Sequence, residues 1–321
     1  MSQRLSQPPT ESGSGSGSES GPRITVIGDA LIDELRDPNG AREFVGGAAL
    51  NVAVGLALLG EQATLVAMLG DDEPATRIRS YLRDYGVRLV ESPSELGTSR
   101  AVSDRTDGEP RYEFNEAAKR RRIRFDDETR AAIDDADLVV VSCFPFDDAE
   151  QYAELVGAIA DPDRRVIVDG NPRAGMLADR AQFLANFEDF ASRALLVKVG
   201  DEDADLLLGD SLEALVGRLR SRGAGQGAIL ATAGRDGASV RHGDSVVHSG
   251  IVDLPGPIVD TMGAGDATLS AIVHRIAEAG LPQTTGAWET ALREAMTIAS
   301  ATVRHEGALL RVPQPEGVFP S

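Results

Sequence analysis

The chain has 321 residues, 42% of them apolar, and its 32 Lys and Arg against 51 Asp and Glu give a formal charge of −19. That balance excludes nucleic acid and anionic membranes as partners, since both select basic surfaces. The length suits one large α/β domain with at most a small accessory piece, and no apolar run approaches the roughly 18 residues that span a bilayer.

Residues 1–21 are rich in Ser, Gly, Pro and Glu and lack the apolar core of a signal peptide, so they are expected to be a disordered tail ahead of a folded domain at 22–321. Arg23 to Gly28 is a β-branched run ending in Gly, the pattern of a buried first strand, and Asp29 to Asp33 reads as its continuation. Gly46-Gly47-Ala48-Ala49-Leu50-Asn51 opens a helix of small residues that reaches Leu59 and is stopped by Gly60. A second strand follows at Ala63–Met68, then a helix at Glu73–Tyr85. Two short extended runs, Arg100 to Ser103 and Arg111 to Phe114, flank Thr106-Asp107-Gly108 and predict a hairpin. Inserted in an alternating chain, a hairpin spanning about 98–116 is a candidate lid. The basic run Lys119 to Arg122 after it reads as solvated surface.

Beyond Asp126, strands are expected at Leu138–Ser142, Arg165–Asp169, Leu195–Val199 and Ala228–Thr232, with helices at Asp147–Ala160, Ala181–Ser192 and Leu212–Arg222. A second hairpin surrounds His242-Gly243-Asp244, and helices at Gly263–Ala279 and Trp288–Arg304 close the chain. Such alternation predicts an α/β fold: a central, mostly parallel sheet with helices on both faces, ligands binding beyond the strand C-termini, and a small β lid. Cys143, the single cysteine, allows no intramolecular disulfide, suits the cytoplasm, and reads as a strand-end residue.

Neither a P-loop nor a dinucleotide fingerprint is present in the right context, and the four His share no metal-ligand spacing. What stands out is Asp260-Thr261-Met262-Gly263-Ala264-Gly265-Asp266, small residues between carboxylates at the start of a helix. Small residues let backbone N–H groups approach an anion, and the helix dipole adds positive potential. Asp266 in that place suits a base that deprotonates whatever attacks the anion, which is the logic of phosphoryl transfer.

These elements together resemble the ribokinase, or PfkB, family of carbohydrate kinases. The N-terminal signature matches Gly46-Gly47-Ala48-Ala49-Leu50-Asn51-Val52-Ala53 with Gly60 and Gly70; the C-terminal signature matches Asp260 to Asp266. The intervening pieces Gly70-Asp71-Asp72, Asp169-Gly170-Asn171-Pro172-Arg173 and Thr232-Ala233-Gly234-Arg235-Asp236-Gly237 also fit, so the likeness runs over about residues 23 to 312. The resemblance implies a ribokinase-like fold, with Asp266 as base and Gly263, Ala264 and Gly265 as the anion hole for a transferred phosphate. It implies a sugar held by Asp33, Gly46, Gly47 and Asn51 beside Asp266. It implies ATP held by Lys198, Thr232, Gly234, Gly237, Thr261, Gly263 and Gly265, with adenine between the Thr232 loop and Ala299 to Gly307. Arg173 suits phosphate, sugar or a structural salt bridge. Mg²⁺ is implied with ATP, but its ligands are unknown, because Gly200-Asp201-Glu202-Asp203 stands where many members carry Asn-x-x-Glu; Glu202 is a candidate substitute. A monovalent cation such as K⁺ near Asp260, and a homodimer formed through lids, also occur in relatives.

Gly28-Asp29-Ala30-Leu31-Ile32-Asp33 looks like the fructokinase version of the first strand, as do Asp169 to Arg173 and Val197-Lys198-Val199 before an acidic helix. The expected reaction is therefore fructose to fructose 6-phosphate. A 2-keto-3-deoxygluconate kinase is the alternative, with Arg100, Arg105 or Arg111 meeting a substrate carboxylate; ribokinase is another. A silent sugar- or nucleotide-binding regulator is the reading from a different class, and the retained Asp266 argues against it.

Overall fold

In a computed structural model of the protein, described over residues 21–38, 40–104, 111–161, 163–224 and 227–313, the chain forms two sheets of unequal size. The tail up to residue 20, Arg105 and the Thr106-Asp107-Gly108 turn lie outside the described residues.

The large sheet has nine strands. Seven run parallel: β1 (Arg23–Gly28), β4 (Gln62–Leu69), β5 (Arg88–Pro93), β8 (Leu138–Ser142), β9 (Val166–Asp169), β10 (Leu196–Gly200) and β11 (Ala228–Thr232). The hairpin β12 (Ala238–His242) and β13 (Ser245–Ser249) closes one edge antiparallel. The spatial order β13-β12-β11-β10-β9-β8-β1-β4-β5 turns outward in both directions from the β1/β8 pair. A crevice is therefore expected beyond the C-terminal ends of those two strands. β8 is apolar and wholly buried because helices cover both of its faces, as a central parallel strand requires.

One layer packs α1 (Ala48–Leu58), α2 (Glu73–Asp84), α9 (Ala264–Ala279) and α10 (Thr285–Thr302) on the sheet through Leu50, Ile78, Leu269, Ile272 and Leu292. The other layer holds α4 (Asp127–Asp134), α5 (Ala149–Ala158), α6 (Arg180–Ala191), α7 (Asp201–Leu208) and α8 (Leu212–Ser221), centred on Phe144, Phe146, Phe183, Phe187 and Phe190. A short α3 (Glu116–Lys119) follows the small sheet.

The small sheet, in the order β3-β2-β6-β7, is built from β2 (Leu31–Asp37), β3 (Gly40–Gly46), β6 (Ser99–Asp104) and β7 (Arg111–Phe114). It corrects two expectations. Asp29–Asp33 does not prolong the first strand: the chain leaves β1 at Gly28, where a Cβ would meet the Ser142 carbonyl oxygen at 1.9 Å, and Leu31 opens a strand of the second sheet. The accessory piece is also more than a hairpin, since β6–β7 lies against β2–β3. β3, carrying Arg42, Glu43 and Phe44, has no apolar alternation to announce it.

The junction between the sheets is tied by Asp72, the N-cap of α2. Its carboxylate accepts from the Ala75 amide (3.0 Å), the Thr98 amide (2.8 Å) and the Thr98 hydroxyl (2.6 Å), just where the chain passes from β5 to β6. Asp72→Ala removes a helix cap and a cross-junction anchor together, and the expected cost is about 1–3 kcal/mol in urea denaturation. An unchanged midpoint would remove Asp72 from this role.

Candidate active site

The loop ahead of α9 is shaped by glycine. Gly263 caps the helix at φ 76°, and a Cβ there would lie 2.6 Å from that of Ala308. The expected helix start at Gly263 thus moves to Ala264, with Gly263 outside it in a left-handed conformation that side chains resist. The Ala264 amide reaches back to the Thr261 carbonyl at 3.3 Å, while the Gly263, Gly265 and Asp266 amides have no partner among the described residues. Unpaired amides at a helix N-terminus are an anion-binding arrangement. Asp260 fixes the loop from behind, its two carboxylate oxygens accepting from the Met262 amide (3.1 Å) and the Gly307 amide (3.2 Å).

Asp266 is the third residue of α9 and is buried. Asn51 of α1 donates its side-chain N–H to the carboxylate at 2.8 Å across 215 residues of sequence. Burial drives the Asp266 carboxyl up to about 6, against the lowering effects of Lys198, the Asn51 hydrogen bond and Arg173. Lys198, on β10, forms a buried ion pair with Asp169 at the end of β9, with Nζ 3.0 and 3.1 Å from the two oxygens. Nζ also lies 3.3 Å from where a Cβ on Gly265 would be, so the ammonium sits directly beneath the anion loop. Desolvation alone would discharge this lysine, but Asp169, Asp203 and Asp266 outweigh it and its proton is held more tightly than usual.

Asp203 belongs to this cluster. It is buried, accepts from the Gly200 amide at 2.7 Å, and is pushed up by desolvation. Glu202, the expected stand-in, is instead exposed on the outer side of α7. Among the described residues no group of three or more His, Cys, Asp or Glu is arranged to hold a metal ion.

On the other side of Asp266 lie the residues from the first glycine element. Asp33, partly buried at the base of the small sheet, is driven to about 7 by desolvation and by the charges of Asp29, Asp266 and Asp260. Gly46 faces it so closely that a Cβ there would fall 2.1 Å from Asp33 Oδ2. Gly47, at φ 109°, passes close to the Asp29 backbone as the N-cap of α1. Asp29, which the sequence reading left without a role, accepts from the Ala49 amide at 3.0 Å and is raised by burial. Arg173 is exposed, lies within electrostatic reach of Asp29, Asp33 and Asp266, and pairs with no carboxylate among the described residues.

Thr232 ends β11 opposite Gly200, and Thr261 is exposed beside the anion loop. Gly234 (φ 46°) and Gly237 (φ 86°) bracket a tight turn after β11, where a Cβ on Gly237 would strike the Ser249 carbonyl oxygen at 2.2 Å. Arg100 does not enter the cleft. It pairs in the ladder with Ile32, on the face away from Asp33, and is bound by Glu34 (2.8 Å) and Glu43. Arg105 lies outside the described residues, and so does the placement of the Arg111 side chain. The basic run Lys119 to Arg122 is not all solvated surface: Arg121 is buried and donates to the Cys143 carbonyl (3.2 Å). Cys143 is buried with its thiol pushed up to about 12 by desolvation, which leaves it protonated and unreactive.

Three buried carboxylates, an ammonium under unpaired amides, and the close Asp33–Gly46 approach thus gather around Asp266. Residues 23–315 match the pfkB family carbohydrate kinase. The chain belongs to this family. A relative of this pfkB-family kinase, the fructokinase of Salmonella typhimurium, is 26% identical over 322 residues, covering 91% of this chain and 96% of the relative. The fold is similar to a double mutant of the fructokinase from Vibrio cholerae O395 bound to fructose, ADP and potassium ion, at a TM-score of 0.74 and 21% identity over 91% of this chain and 96% of that one. It is also similar to aminoimidazole riboside kinase from Salmonella enterica complexed with aminoimidazole riboside and an ATP analog, at a TM-score of 0.68 and 21% identity over 89% and 95% of the two chains. One fold thus serves acceptors as different as a ketose and a riboside, so the acceptor has to be argued from the site.

The strained ionisation of Asp266 has a thermodynamic consequence. A carboxyl raised from 3.8 to about 6 on folding stabilises the fold while protonated; that contribution is complete below about pH 4 and lost as pH climbs through 6. Asp266→Asn removes the penalty, and the ligand-free variant is expected to be about 1–3 kcal/mol more stable than wild type at pH 8, the gain shrinking toward pH 4. Denaturant titrations at the two pH values check this; a gain independent of pH would mean that ionisation is not its source.

Proposed function

We propose that this kinase transfers the γ-phosphate of ATP to a primary hydroxyl of a ketose, fructose being the acceptor favoured, to give fructose 6-phosphate. The observation that carries the reading is Asp266: a buried carboxylate at a helix N-terminus, facing unpaired amides on one side and the Asn51, Asp33 and Gly46 pocket on the other. The sugar hydroxyls engage Asp33, which accepts, and Asn51, which donates; Gly46 and Gly47 leave room for the ring. Asp266 takes the proton from the attacking hydroxyl as the oxygen closes on phosphorus. The Gly263 and Gly265 amides, with Ala264 in the same turn, receive the charge of the transferring group. Lys198 beneath them and Arg173 at the mouth add positive potential on either side of the phosphate.

The nucleotide lies along Thr261, Thr232 and the Gly234–Gly237 turn. Ile258 and Val259 are exposed beside the end of α10 and offer an apolar shelf for adenine between that turn and Ala299 to Gly307. The donor set fits Mg²⁺ carried by phosphates and water rather than a protein cage, and when bound the ion would neutralise phosphate charge. A monovalent cation such as K⁺ near Asp260 is part of the same reading, as is a cytoplasmic setting, where ATP is made. The edges of β3 and β7 pair with no further strand among the described residues and offer backbone to a second copy, a homodimer through the lid. The 2-keto-3-deoxygluconate alternative is weakened by Arg100, which the Glu34 and Glu43 pairs hold on the opposite face from Asp33. Retention of a buried, geometrically supported Asp266 argues against a silent regulator.

With fructose, ribose and 2-keto-3-deoxygluconate offered in turn, ADP release in the presence of Mg²⁺ and K⁺ should be strongest with fructose. Asp266→Asn should lower kcat by about 10³-fold or more while nucleotide binding persists; activity within tenfold of wild type would displace Asp266 as base. The base must be ionised and Asp33 accepts from the sugar, so kcat/KM should fall as pH drops through about 7 and 6, and a flat profile from pH 5 to 8 would contradict the assignment. Asp33→Ala should raise the sugar KM about 100-fold and the ATP KM far less; equal effects would move Asp33 out of the sugar site.

A further inference from the structure

The sugar side and the phosphate side of the cleft are linked by a contact outside the catalytic groups. Phe44 stands opposite Asp33 in the β2–β3 ladder, so the two side chains project from the same face of the small sheet. The Phe44 ring lies 3.3 Å from the position a Cβ would take on Gly307, whose φ of 78° also favours glycine. Two residues earlier on the same face, Arg42 is bonded to Glu306. The small sheet therefore rests on the 306–308 turn at two neighbouring points.

That turn holds the anion loop. The Gly307 amide donates to Asp260 Oδ2 at 3.2 Å, and Ala308 fills the space where Gly263 lacks a side chain, 2.6 Å from its Cβ position. The loop itself, residues 250–262, contains no helix or strand and exposes Ile251, Ile258 and Val259. Its first half is held by Val252, packed on the core, and by Arg304, whose guanidinium donates to the Leu254 (3.0 Å) and Pro255 (3.1 Å) carbonyls; the ties of its second half run to the Val303 carbonyl, from the Val259 amide (2.8 Å) and the Asp260 amide (3.2 Å). From Gly256 to Met262 the segment has, among the described residues, only these ties and the Asp260 carboxylate bonds, and it takes its position from them.

We propose that Phe44 is a positioning residue through which closure of the small sheet over the sugar sets the anion loop, so that ATP is cleaved only when an acceptor is in place. The inference rests on the sugar-kinase reading above. Without sugar, the sheet is free to lift, Phe44 leaves Gly307, and the Gly263 and Gly265 amides lose the alignment that receives the transferring phosphate. Water admitted to the open cleft then meets a poorly assembled site, and hydrolysis is suppressed. A second contact on the same face of the sheet provides a control. Phe114 packs on Gly175, 2.5 Å from its Cβ position, and on the cluster of Ala48, Ala118, Cys143 and Met176.

The test measures ADP and sugar phosphate separately, in the full-length enzyme with saturating acceptor. Wild type is expected to release one ADP per sugar phosphate. Phe44→Ala should lower kcat about tenfold and raise the ratio of ADP to sugar phosphate about threefold or more, because closure no longer commits the phosphate to the sugar. Phe44→Leu, which keeps most of the apolar bulk, should fall between and serves if the alanine variant does not fold. Phe114→Ala should raise the sugar KM while its ratio stays near one. A ratio near one in both Phe44 variants overturns the proposal, as does an equal rise in Phe114→Ala, which would mean general loosening of the lid. A wild-type enzyme silent on every sugar overturns the kinase reading itself, and the coupling with it.

Discussion

The site depends on keeping several charges in a dry space without neutralising them. Asp266, Asp169, Asp203 and Lys198 converge under the start of α9, all buried. A single carboxylate there would take up a proton and a single ammonium would lose one. Together, the Lys198–Asp169 pair holds the cation charged, and that cation in turn limits how far Asp266 rises. The outcome is a carboxyl poised near 6, basic enough to accept a proton at neutral pH yet still ionised there. An ion pair so deeply buried contributes little net stability; here it fixes the electrostatic environment of a neighbour.

The architecture supplies the convergence. β9 and β10 are adjacent parallel strands, so Asp169 and Lys198 meet as direct neighbours in the ladder. The strand order divides at β1 and β8, and α1 and α9 pack side by side to bring Asn51 against Asp266. The small sheet reaches the same region through Asp33 and Phe44. Its two faces have different work: Asp33 and Phe44 look toward the site, while Glu34, Glu43 and Arg100 form a charge network on the opposite face that reaches Arg77 of α2. Three glycines are explained by approach distance: in the two signatures Gly46 makes room for the Asp33 carboxylate and Gly263 for Ala308, and outside them Gly307 makes room for the Phe44 ring.

Much of the large sheet was legible in the residues. Leu138–Ser142 and Ala228–Thr232 appear as strands with the expected bounds, because an uninterrupted apolar, β-branched run has one good home in a two-layered α/β fold. The two glycine-rich signatures located the turn before α9 and the α1 start for a similar reason: few residues other than small ones tolerate left-handed backbone beside a packed neighbour. The small sheet was half legible. A Gly-containing turn announced β6 and β7, whereas β3 carries a charged run, Ala41-Arg42-Glu43, that alternation does not reveal, and β2 follows β1 so closely that the two read as one strand.

By itself, then, the sequence determined the α/β layering, the family and the loop that carries Asp266, because these follow from local periodicity and from glycine where no other residue fits. The tertiary structure alone decided the partners. It set Lys198 against Asp169 and beneath Gly265, drew Asp203 inward and left Glu202 outside, turned Arg100 away from the cleft, and laid Phe44 on Gly307. The physical reason is distance along the chain. Contacts between residues tens to hundreds of positions apart depend on strand order and on the parity of each side chain in its ladder, and neither is written in any local stretch of residues.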